Sequence, residues 1–185
     1  SIGGNFETVN RAVGSTTVTD NVQIFEKVGN SGLTQIAYAE LPQTISASKI
    51  VYTGRDYANR INVIVLDDVT GDRYTYGIFH KEQKEVTDSF GTSRLTVLSV
   101  AYDNEKETPA LPGGGNYADG SFGGLVLSVD GKRIANSIAL NKISNVAFNT
   151  WNGDESVTVQ GITYPIAEDV RCYNSSTQRW MSLDA

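Results

Sequence analysis

Apolar and polar residues alternate with a period of two along most of this chain, and a helical period is almost absent. Period-two alternation places every second side chain on one face of a strand, so the chain is constrained to sheets with one buried face each. Tight-turn pairs separate the alternating runs. "GLVLSVDGKRIANSI" reads as a hairpin turning at Asp130-Gly131, and "ISNVAFNTWNGDESVTV" as another turning at Asn152-Gly153. "SVTVQGITYPI" turns at Gln160-Gly161. Each pair supplies residues that tolerate a positive φ. "RINVIVLDDVTGDRYTYGIF" is expected to form a fourth hairpin, with Ile61, Val63 and Val65 on one face of its first arm and Tyr74, Tyr76 and Ile78 along its second. Asp67 to Asp72 would be its turn. Hairpins in series make a meander, and a twisted meander curls into a barrel or folds into a sandwich.

The expectation is therefore an all-β fold of antiparallel meanders in barrel-like or sandwich units. At most one or two short helices are expected. "LTQIAYAEL" (33–41) is the helical candidate, with Leu33, Ile36, Ala37, Glu40 and Leu41 on one face and Pro42 ending it. "NEKETPALPGGGNYADGSFGG" (104–124) has no period and reads as a long loop. With 185 residues the chain suits one domain or two small, intimate ones, and two β-rich units are expected over 1–76 and 77–185.

The boundary rests on an internal likeness. Thr19-Asp20-Asn21-Val22-Gln23-Ile24-Phe25 matches Ala167-Glu168-Asp169-Val170-Arg171-Cys172-Tyr173 slot by slot. A Gly-x-Thr precedes each, at Gly14 and Gly161, and "YAEL" can be set against "WMSL" downstream. On this reading the second copy stops at Ala185 where further strands are expected, so the chain would be a piece of a longer β-array with an edge in need of cover.

About the last thirty residues, "VTVQGITYPIAEDVRCYNSSTQRWMSLDA", resemble the β-rich repeats of Gram-positive, Clostridia-type surface proteins that carry S-layer homology domains. Val157, Val159, Gly161, Tyr164, Ile166, Asp169, Val170, Trp180 and Leu183 carry the resemblance. Arg60–Phe79 shares it loosely, and Thr16 and Thr17 depart from it near the expected aromatic slot. The resemblance implies an extracellular, structural module with neighbouring modules or surface-lattice subunits as partners. It encodes a fold and no reaction, and no S-layer homology segment is recognisable here. A Lys–Asn isopeptide crosslink would suit that setting, although the spacing singles out no pair.

Charge and residue usage narrow the function classes. A net charge of −6 disfavours nucleic acid and anionic membrane surfaces. No apolar run reaches the roughly 18 residues of a membrane-spanning helix. With one histidine, His80, a multi-histidine metal site is excluded, and no G-x-S-x-G elbow is present. Carboxylates are plentiful, but nothing in the sequence sets a pair across a cleft. Cys172, the single cysteine, occupies the slot of Ile24 and reads as a core residue. Gly113-x-Gly115-x-x-Ala118 formally matches a dinucleotide fingerprint but lacks the flanking strand and helix that give it meaning. Asn174-Ser175-Ser176 is a formal glycosylation sequon.

Two sets of residues remain as candidate sites. Asp67, Asp68 and Asp72 share a turn and could supply oxygens to calcium, although aspartates also favour turns for their own backbone bonds. Tyr117, Phe122 and Trp151 lie in or near loops and could stack on a glycan or anchor a host protein. They would do so only if they shared an exposed face. The leading expectation is a non-catalytic spacer, with such an adhesin role as its alternative.

Overall fold

The computed structural model describes residues 3–113 and 116–183. The fold is all-β: 53% of it is strand, 5% helical, and its sheets stay open, none closing into a barrel. Gly115 of the formal fingerprint and Ala185 lie outside the described residues.

The first sheet uses β1 (Phe6–Glu7), β2 (Ala12–Val13), β3 (Thr16–Lys27), β4 (Thr34–Ile36), β5 (Thr44–Ile45), β6 (Ile50–Arg55) and β7 (Ile61–Asp67). Its order is β5-β1-β2-β3-β7-β6, with β4 paired to the far end of β3. β3 is long enough to serve two ladders. Thr16 and Thr17 pair with β2, and Gln23 to Lys27 run parallel to β7. A register shift between Val18 and Gln23 makes the bend. Phe6, Val13, Val18, Ile24, Ile45, Ile50, Ile61, Ile64 and Leu66 form the core.

The expected hairpin over Arg60–Phe79 is not formed. β7 lies between β3 and β6, whereas Tyr76 and its neighbours belong to a different sheet. The expected face is also corrected. Beyond Ile61 the buried residues are Ile64 and Leu66 rather than Val63 and Val65, because bulges in both neighbouring ladders shift the alternation by one. The expected helix over 33–41 becomes β4 and a single 3-10 turn at Tyr38–Glu40. Thr34–Ile36 is captured by the open edge of β3, which leaves too few residues for a helix.

The second sheet holds β8 (Thr75–Asp88), β9 (Gly91–Asp103), β10 (Lys106–Glu107), β11 (Leu111–Pro112), β12 (Phe122–Leu127) and β13 (Ile134–Ala139). Its order is β10-β9-β8-β12-β13, with β11 also paired to β9. Phe79, Leu98, Val100 and Leu125 form its core, joined by Tyr102, Tyr117 and Ile134. The hairpin expected at Asp130-Gly131 is present as β12–β13. The loop expected over 104–124 contains β10, β11 and the start of β12.

Two small sheets follow. β14 (Trp151–Asn152), β15 (Ser156–Val159) and β16 (Ile162–Pro165) form one, turning at the expected Gly153 and Gly161. Its "ISNVAF" arm is not strand. β17 (Arg171–Asn174) and β18 (Arg179–Ser182) form the other. The two stretches likened in the sequence are held differently. Thr19–Phe25 lies wholly within β3, whereas strand begins only at Arg171 in the second stretch. Trp180 lies in β18.

Candidate functional site

The linker from β7 to β8 is fixed by a residue that sequence reading did not single out. Glu26 alternates with Ile24 on β3 and with Val28 just past the strand's end, and is fully buried, 0% exposed. Its carboxylate accepts hydrogen bonds from Val69 N (2.6 Å), Thr70 N (2.7 Å) and Thr70 Oγ1 (2.6 Å). Arg73 Nη1 then donates to Glu26 O (3.1 Å) and Gly32 O (2.9 Å). A buried carboxylate is tolerable only with such a set of donors. The signal was present: an acid in an apolar slot of "VQIFEKV".

Beside this joint Tyr74 packs with Val28 and Val126. Its hydroxyl donates to Asp68 Oδ2 (3.0 Å) and accepts from Asn136 Nδ2 (2.7 Å). Burial, with the bond to Asp68, pushes the Tyr74 phenol up to about 12. Of the aspartates considered for calcium, Asp67 and Asp68 each use the carboxylate on a separate partner, and Asp72 bonds here only through its backbone N–H. Asp67 Oδ1 accepts from Gly29 N (3.2 Å), Asp68 serves Tyr74, and Asp72 N donates to Thr70 Oγ1 (3.1 Å). Among the described residues no three His, Cys, Asp or Glu side chains gather as a metal-binding set.

A second joint encloses a cleft of about 490 Å³ between the second sheet and the last hairpin, with His80, Asp103, Glu107, Tyr173, Arg179 and Trp180 on its walls. Asn104 Nδ2 donates to Trp180 O and Trp180 N to Asn104 Oδ1, both at 2.7 Å. Arg171 pairs with Asp103. The backbone N–H of Asn104, then Arg171 and Lys106, hold the Asp103 carboxyl below the usual carboxylate range. The Tyr173 ring meets Trp180 at 5.0 Å and Phe122 at 6.4 Å. The single histidine lies here: His80 Nδ1 is 2.9 Å from Glu107 Oε1, and the buried Ser99 hydroxyl donates to the same oxygen. Both converge on one carboxylate instead of forming a Ser-His relay.

The three aromatics proposed from sequence do not share a face. Tyr117 stacks on Phe79 at 4.5 Å and donates its hydroxyl to Ser137 O (2.8 Å), which pins it into the core. Phe122 pairs opposite Ile78, the next residue from Phe79, and so lies on the other side of the sheet. Trp151 belongs to the separate β14–β16 sheet. Cys172 is half-buried on β17, opposite Met181.

Compared with known proteins, the chain matches no family model, no curated protein and no solved structure. Among the described residues no helix is long and apolar enough to cross a membrane.

Proposed function

We propose that the chain is a non-catalytic structural module, a spacer of a bacterial surface protein of the kind that about its last thirty residues resemble. One observation carries this reading. Each sheet is built from its own consecutive stretch of chain, and the linker between the two large sheets is tied back to the first of them by the buried Glu26 carboxylate and the Arg73 guanidinium. Polar groups satisfied only in one geometry fix orientation more sharply than apolar packing does. Asn104 and Trp180 repeat the device at the last hairpin. A module that holds its neighbours apart needs such joints and needs no pocket for a substrate.

A spacer must hold when pulled through its ends. Single-molecule stretching is expected to release the small sheets first and the two large sheets together. In a Glu26→Ala, Arg73→Ala variant the large sheets should yield separately. Smooth extension of the unmodified protein, without a shared unfolding event, would remove the spacer reading.

A further inference from the structure

The β14–β16 sheet has two unlike faces. Trp151 sits opposite Val157, Val157 opposite Tyr164, and Val159 opposite Ile162. Cross-strand partners share a face and alternate residues return to it, so Trp151, Val157, Val159, Ile162 and Tyr164 form one apolar surface. Asn152, Ser156, Thr158, Thr163 and Pro165 make the other, where the Thr158 and Thr163 hydroxyls bond at 2.9 Å. The apolar face is open: Trp151 is 42% exposed, Ile162 56% and Tyr164 40%.

Size and charge select what would cover it. One strand of two residues and two of four span at most ~13 Å by ~14 Å, under roughly 200 Å². A stable protein interface takes about 800 Å² from each partner, so a second copy or another protein would be held poorly. The segment 147–170 carries Asp154, Glu155, Glu168 and Asp169 and no Lys or Arg, which repels nucleic acid and anionic lipid. The two rings stand on the outer strands, about 10 Å apart across two strand spacings. That separation suits alternate rings of an extended neutral sugar chain, adjacent rings being only about half as far apart, so that apolar ring faces can lie on Trp151 and Tyr164 while the hydroxyls stay in water.

We propose that this face binds a neutral saccharide of at least three units, with Trp151 and Tyr164 stacking on alternate pyranose rings. Its success or failure is separate from that of the spacer role, because neither joint contains these residues. The test uses the whole protein on an array of neutral oligosaccharides, followed by calorimetric titration of whichever glycan it retains. Trp151→Ala and Tyr164→Ser are each expected to weaken binding about tenfold, with Trp151→Phe retaining part of it. Thr158→Ala, on the opposite face, should bind like the unmodified protein, and unchanged far-UV circular dichroism confirms that each variant is folded. No binding by the folded protein, or binding unchanged in both Trp151→Ala and Tyr164→Ser, overturns the proposal. So does concentration-dependent dimerisation that Trp151→Ala abolishes, because a second copy would then occupy the face.

Discussion

At the scale of single residues the largest consequences belong to groups buried with only one acceptable set of partners. Glu26→Ala leaves Val69 N, Thr70 N and Thr70 Oγ1 without their acceptor. The expected loss is about 3 kcal/mol in urea unfolding, against about 1 kcal/mol for Thr70→Val, which removes one donor. Tyr74 gives a pH signature. Its phenol, pushed to about 12 by burial, ionises far less readily in the folded than in the unfolded chain. A raised folded value means its contribution is complete below the unfolded pKa, near 10, and is lost between there and about 12. Tyr74→Phe should flatten much of that alkaline limb. Some slope should remain, because burial and the nearby Asp68 and Asp72 also raise Tyr76. Gly123 is fixed by close approach: a Cβ there would fall 2.0 Å from the Phe79 ring and 2.5 Å from Ile138 O. Gly123→Ala is expected to cost about 3 kcal/mol in the same unfolding measurement, and a near-neutral result would contradict the packing described.

At the scale of elements the most exposed is the outer part of the β8–β9 hairpin. Residues 82–95 are exposed along both strands, and Phe90 at the tip is 97% exposed. A two-stranded ribbon without cover is marginal in water. Limited proteolysis should cut first between Asp88 and Thr92, and Phe90→Ser should change stability by less than about 0.5 kcal/mol. Resistance at that turn would show that the ribbon is covered in solution. This scale also separates what was legible in the sequence from what was not. β12–β13 and β15–β16 were readable because Asp130-Gly131 and Gln160-Gly161 encode their turns within a few residues. The Arg60–Phe79 reading failed because β7 pairs in parallel with β3, about forty residues earlier, and no local turn records that choice. The bulges beside β7 displaced its buried set for the same reason. Of the site residues, Glu26 was visible in principle as an acid in an apolar slot. The bonds from Asn104 to Trp180 span 76 positions and leave no periodic trace.

At the scale of the whole molecule the sheets are connected through polar joints. Asp103 helps close the second one, and the Asn104 N–H, Arg171 and Lys106 lower its pKa. A depressed carboxylate contributes above its unfolded pKa, and that contribution is lost as pH falls through the folded value. The last hairpin should therefore stay docked at neutral pH and loosen only in acid below about 3.9. Asp103→Asn should loosen it at neutral pH, read as faster amide exchange at Tyr173 and Trp180. The most direct test of the central claim, that a linker fixed by Glu26 and Arg73 holds the two large sheets in one orientation, is a distance distribution between spin labels. With Cys172 replaced by serine, labels at Tyr57→Cys and Leu140→Cys report on the first and second sheets respectively. One narrow distance, broadened when Glu26 and Arg73 are both changed to Ala, is the predicted result. A broad distribution in the protein with the joint intact would contradict it.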